Sequence, residues 1–273
     1  MSQVVVSPTP MSVPAFRARK GSGTPLVVLT AYDAATTSVA EAGGADAVLV
    51  GDSLGMVVLG YDSTLPVTMQ DMLHHARAVG RTRKRALMIV DMPWLSYHLG
   101  AADGVKNAAA FVRECGTDAV KVEGGAKRVP VIEAMLEAEI PVMGHLGLTP
   151  QSVLQMGGYR VQGRSEGDAE RLVADARALA AAGVFSIVLE GVPAALAARI
   201  TAEVDVPTIG IGAGPRCDGQ VLVIHDLLGL LPGPVPKFVR RYASVHEDGA
   251  EAVRRWAEDV RSGEFPSDRE TYD

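Results

Sequence analysis

DAVKVE (118–123) is a short apolar run that ends on a carboxylate, and four companions repeat its form: ADAVLVGD (45–52), ALMIVD (86–91), PVMGH (141–145) and FSIVLE (185–190). A continuous apolar run of this length suits a strand buried on both faces, as in a parallel sheet. The side chains that end the runs, Asp52, Asp91, Glu123, His145 and Glu190, then stand at the carboxyl edge of that sheet, where α/β proteins build their sites. Five such endings along one chain point to a constructed pocket and to an enzyme.

Further strand-like runs extend the series at 25–33, 207–214 and, more weakly and with partial helical character, 219–229. Ala-rich amphipathic stretches separate them at 34–42, 69–81, 104–115, 131–137, 168–182 and 193–202. Thr68 with Asp71 forms a helix-start signal, and Gly43–Gly44 and Gly183 are helix stops. Strand alternating with helix seven or eight times predicts a single-domain (β/α)8 TIM barrel. A doubly wound open sheet is the rival, but no G-x-G-x-x-G follows the first strand. The expected layout is a loose N-terminal tail (1–24), the barrel (25–246), and a C-terminal helix and tail (247–273). In that last helix Ala252, Trp256 and Val260 share one face.

The composition narrows the function. A net charge of −6 with no extended basic block argues against nucleic acid as the main partner. No apolar stretch reaches the ~18 residues of a membrane span. The first residues lack the charged and apolar regions of a signal peptide. The two cysteines, Cys115 and Cys217, have no metal-ligand spacing. Together these features predict a cytoplasmic protein, without structural disulfides, that acts on small molecules.

Lys121 and Glu123 lie two positions apart and so share one strand face. Buried charges cost several kcal/mol each unless paired or bound to an ion. One reading is a Lys–Glu ion pair that closes the barrel mouth. Asp52 and Asp91 favour another, because with Glu123 they bring three carboxylates to consecutive strand ends. Such a cluster calls for a cation, and oxygen ligands without Cys or a His cluster favour Mg2+. Mg2+ takes only one or two protein carboxylates, so Asp52 and Asp91 are the direct candidates and Glu123 reaches it through water. A 2-oxo acid suits this site, since its keto and carboxylate oxygens chelate together. The enolate oxygen formed at the metal gains further from Lys121. Glu190 or His145 can supply the base, and Ser53 can bind the substrate carboxylate.

The segments GDSLGMVVLGYDSTLPVTMQDM, VDMPW, VKVEGG, GHLGLTPQSVLQMGGYRVQGR, VLEGVP and IGIGAGPRCDGQVLVIHDLLG resemble the ketopantoate hydroxymethyltransferase family, in order over roughly residues 25–245. The resemblance implies a barrel of the phosphoenolpyruvate mutase/isocitrate lyase type, assembled as a homodecamer in many members. It implies one-carbon transfer from 5,10-methylenetetrahydrofolate to 3-methyl-2-oxobutanoate, giving 2-dehydropantoate and tetrahydrofolate for pantothenate biosynthesis. Carried over residue by residue, it implies a Mg2+ site at Asp52, Asp91 and Glu123. The same matching implies substrate contacts at Asp52, Ser53, Asp91 and Lys121, proton acceptance at Glu190, and an active-site position for His145. Gly191 follows Glu190 where many members have Cys, a change beside the acid and not on it. Lyases and mutases on the same barrel commonly carry a K-K-C-G-H stretch, which is absent here.

Gly210, Gly212 and Gly214, with Arg216, fit either a phosphate cradle or room for substrate or folate. The loop 155–164 fits either a cover for the site or an ordinary surface loop.

Overall fold

The computed structural model of the chain describes residues 9–272. Eight parallel strands close into a barrel in sequence order: β1 (Leu26–Thr30), β2 (Ala47–Val50), β3 (Leu87–Asp91), β4 (Ala119–Glu123), β5 (Val142–Gly147), β6 (Ser186–Glu190), β7 (Thr208–Ile211) and β8 (Gly219–Leu222). Hydrogen bonding of β8 to β1 shuts the ring, which rules out the open-sheet alternative. The chain enters through α1 (Val13–Arg17). The strands are then joined by α2 (Ala34–Ala42), a short α3 (Leu54–Val57) leading into α4 (Met69–Thr82), α5 (Ala101–Cys115), α6 (Val129–Glu137), a short α7 (Val153–Met156) leading into α8 (Glu166–Ala182), and α9 (Ala194–Glu203).

Local chemistry starts and stops these helices where the sequence signals it. Thr68 and Asp71 form a reciprocal capping box at the head of α4, satisfying two otherwise orphaned N–H groups. Asp33 and Thr36 do the same for α2. Gly183 ends α8 in the left-handed conformation that glycine adopts without penalty. The run at 219–229 splits into β8 and α10 (Ile224–Leu228), matching its mixed strand and helix character.

Period-two alternation sorts each strand into an outward face under the helices and an inward face toward the axis. The lower interior is apolar: Leu26, Val28, Ala47, Leu49, Leu87, Ile89, Ala119, Met143, Val188, Ile209 and Val221 fill it. Two residues further along the same inward rows, Ile89 gives way to Asp91, Ala119 to Lys121, Met143 to His145 and Val188 to Glu190. The barrel therefore changes from hydrocarbon to charge within one layer.

The leading segment differs from the expected loose tail. Residues 1–8 of that tail lie outside the described residues. From Ser12 onward the chain is structured: the Ser12 side chain caps α1, and Phe16, fully buried, packs edge-to-face on Phe185 with ring centroids 5.6 Å apart. Phe16 belongs to the barrel's own apolar cluster. Lys20 continues the attachment, donating to Thr201 O at 2.6 Å and to Asp218 Oδ2 at 2.9 Å. A five-residue helix is too short to announce itself by periodicity, but Ser12 followed by Pro14 is a legible start signal.

The chain divides into two compact units after Ile224. In the second, α11 (Val245–Ser262) is a long helix on which Val253, Trp256 and Val260 are exposed. Trp256 meets Phe265 edge-to-face at 6.2 Å.

Candidate active site

Strand register places the ionisable side chains beside one another. Asp91 on β3 is the register partner of Lys121 on β4, and Glu123 is the partner of His145 on β5. Lys121 Nζ lies 3.0 Å from Asp91 Oδ1, 4.0 Å from Glu123 Oε1 and 2.9 Å from His145 Nδ1. Across the ring, His145 Nε2 approaches Glu190 Oε2 to 3.3 Å. Asp52 follows β2, and its backbone N–H donates to Asp91 Oδ2 at 3.1 Å. Ser53 Oγ shares a hydrogen bond with Tyr32 Oη at 2.9 Å. All seven sequence-predicted residues thus meet at one mouth.

Close packing at the mouth depends on two glycines. A Cβ on Gly51 would lie 2.7 Å from Ser53 Oγ and 3.5 Å from Asp91 Oδ2. Gly147, at φ +94°, brings the end of β5 over β6, where Leu148 N donates to Glu190 O at 2.8 Å. A side chain there would strike that carbonyl at 2.2 Å.

Loop residues without charge complete the arrangement. Gln151 Nε2 donates to Asp52 Oδ2 at 2.8 Å and to Met92 O at 2.9 Å, while Gln151 N donates to Glu123 Oε2 at 3.1 Å. Tyr97 Oη donates to Gln151 Oε1 at 2.6 Å and accepts from Glu123 N at 3.2 Å. Gln151, Tyr97 and Tyr32 escape a reading of the sequence. The one signal for Gln151 is its position in TPQS, in the loop at the carboxyl end of β5, where barrels keep function.

The electrostatics are those of a crowded, dry cluster. Burial, then the charges of Asp91 and Glu123, push Asp52 well above the usual carboxylate range. Burial raises Asp91 as well, against the pull of Lys121. Burial also works against the charge on Glu123, but the His145 ring, Lys121 and the Gln151 N–H outweigh it and hold that carboxyl low. Burial would lower Lys121, yet its acidic neighbours, Asp91 foremost, raise it, so it stays an ammonium. Two demands meet at His145. Burial and Lys121 oppose its protonation, while Glu123 and Glu190 favour it and bring its pKa up to about 9. An ammonium 2.9 Å from Nδ1 requires an acceptor there, and this shorter contact favours a neutral ring against the 3.5 Å approach of Glu123. In either state Nε2 carries a proton, 3.3 Å from Glu190 Oε2 but short of hydrogen-bond alignment. Glu190 keeps 18% of its side chain exposed, against 2–5% for Asp91, Lys121, Glu123 and His145, so it is the group of these five that an entering molecule meets.

A hard divalent cation suits this donor set. Asp91 Oδ1 is buried with the Lys121 ammonium 3.0 Å away, and Asp52 and Asp91 carry charge that burial penalises and that a cation relieves. Among the described residues no three His, Cys, Asp or Glu side chains converge as a metal site. Two aspartates with waters are nevertheless an ordinary protein share of a Mg2+ shell.

A separate cavity of about 230 Å3 lies beside α8, lined in part by Lys127, Leu146, Thr149, Arg171 and Asp175. None of the seven predicted residues lines it.

Residues 10–268 match the sequence profile of ketopantoate hydroxymethyltransferase. The chain belongs to that family. It is 55% identical over 254 residues to the 3-methyl-2-oxobutanoate hydroxymethyltransferase of Koribacter versatilis, covering 93% of this chain and 86% of that one. It is 54% identical over 262 residues to the protein of the same name from Moorella thermoacetica, covering 96% and 97%. Among solved structures it resembles 2,3-dimethylmalate lyase, a PEP mutase/isocitrate lyase superfamily member, with a TM-score of 0.60 at 17% identity over 97% of this chain and 93% of that chain. A phosphonopyruvate hydrolase crystallised with oxalate and Mg2+ gives a TM-score of 0.60 at 16% identity, over 94% and 92%. At these identities the likeness speaks to the fold, which is the barrel that the sequence resemblance implied.

Proposed function

We propose that the chain transfers a hydroxymethyl unit from 5,10-methylenetetrahydrofolate to 3-methyl-2-oxobutanoate, giving 2-dehydropantoate and tetrahydrofolate for pantothenate biosynthesis. One observation carries this reading: Asp52, Asp91, Lys121, His145 and Glu190 form one continuous line of contacts, with the aspartates at one end and Glu190 at the other. Identity of 54–55% to proteins named for this reaction supports the choice of acceptor.

Asp52 and Asp91 would hold Mg2+, with Glu123 behind them. Bound there, the metal supplies a Lewis acid that polarises the keto group and acidifies the hydrogen on C3. Lys121, kept charged by its carboxylate neighbours, presents an ammonium to the negative charge that develops on the keto oxygen. Ser53 binds the substrate carboxylate. Glu190 takes the proton from C3, with the Nε2 proton of His145 beside its carboxylate. Water adds to the donor's methylene carbon as both of its bonds to folate nitrogens break, the two nitrogens take the water protons, and tetrahydrofolate leaves a one-carbon aldehyde. C3, already deprotonated, then bonds to that carbon, and the proton held by Glu190 passes to its oxygen, which becomes the hydroxyl. The test is direct: purified chain incubated with the oxo acid, methylenetetrahydrofolate and Mg2+ should form 2-dehydropantoate. Failure to form it with all three present contradicts the proposal.

A further inference from the structure

The Gln151 side chain has a fixed polarity. Its nitrogen faces Met92 O, which only accepts, as well as Asp52 Oδ2, so turning the amide round would set two oxygens against each other at Met92. Its oxygen must then accept, and the Tyr97 hydroxyl at 2.6 Å is the donor. The same hydroxyl accepts from Glu123 N, and the Gln151 N–H closes the circuit on Glu123 Oε2. One residue from the loop after β5 therefore ties the ends of β2, β3 and β4, the three ends that carry Asp52, Asp91 and Glu123. All of these groups are buried. Gln151 also engages Oδ2 of Asp52, which fixes the rotation of that carboxylate and with it the direction of its other oxygen.

We propose that Gln151, oriented by Tyr97, is a positioning residue that orients the Asp52 carboxylate, and through its backbone N–H that of Glu123, for capture of a divalent cation. The inference rests on the metal-dependent reading above. It assigns Gln151 to metal capture and leaves proton abstraction to Glu190. Partners that orient a metal's ligands typically change its affinity 10–100-fold when removed.

The test titrates the full chain with Mn2+ alone, following the free-ion EPR signal, with no substrate present. Gln151→Leu should weaken Mn2+ binding about 10–100-fold. Tyr97→Phe, nearly isosteric, should weaken it by a smaller factor. Because Tyr97 and Gln151 share one network, the double variant should weaken binding by less than the product of the two single effects. Affinity within twofold of the parent in Gln151→Leu, even with a lowered melting temperature, would mean a structural role only and overturns the proposal. If Gln151→Leu does not fold, unchanged Mn2+ affinity in Tyr97→Phe overturns it equally. A parent chain that binds no Mn2+ overturns the metal reading as well, whereas a parent that binds it beside unaffected variants overturns only the positioning role.

Discussion

Replacing Phe16 with alanine tests whether the N-terminal segment is part of the barrel. Phe16 is 0% exposed and packs among Leu26, Val28, Phe185 and the lower interior cluster. Truncating a buried phenylalanine costs about 3–5 kcal/mol, from lost transfer energy and the cavity left behind. The edge-to-face contact with Phe185 accounts for about 0.5–1.5 kcal/mol beyond area burial. For a chain of this size each kcal/mol moves Tm by about 2–4 °C, so the melt should fall by about 6–20 °C. Urea unfolding followed by circular dichroism gives the free energy, and Phe16→Leu should lie between the parent and the alanine variant. A loss under about 0.5 kcal/mol, the range of ordinary surface substitutions, would refute the reasoning and return residues 9–24 to the status of a tail.

Two other predictions follow from the geometry. Mg2+ should raise the parent's melting temperature, by about 2.7 kcal/mol of stabilisation at a hundredfold excess over Kd, and Asp52→Ala or Asp91→Ala should abolish most of that rise; an equal rise in both variants would remove them as ligands. Glu41 accepts the backbone N–H groups of Lys84, Arg85 and Ala86, and despite the opposing effect of burial these bonds hold its carboxyl below the usual range. A folded-state pKa below the unfolded one stabilises above the ordinary glutamate range and fades as pH falls through the folded value. Glu41→Gln should therefore cost about 1.5–3 kcal/mol at pH 7 and progressively less below about pH 4.3, measured by unfolding across pH; a constant difference would contradict the assignment.

Much of this molecule is legible in its sequence because strand periodicity and charge are one-dimensional signals. Ile89 to Asp91 and Val188 to Glu190 are two-residue steps along an inward face, so spacing alone puts the acids at the mouth. Which of them touch is set by register between strands, and register is not written in any single strand. The Lys121–His145 contact, the approach of His145 to Glu190, and the Asp91–Lys121 pair all depend on it. Gln151 and Tyr97 stay hidden for a different reason: neutral residues in loops carry neither period nor charge, and their role exists only once three strand ends are brought within reach. Phe16 is obscured by the brevity of its helix.

The central claim is that this mouth turns a 2-oxo acid into a carbon nucleophile with Glu190 as base. Deuterium exchange at C3 of 3-methyl-2-oxobutanoate in D2O, without folate, isolates that step by NMR. The account predicts Mg2+-dependent exchange in the parent and its suppression in Glu190→Gln, with the oxo acid still bound. Exchange at the parental rate in Glu190→Gln would contradict it.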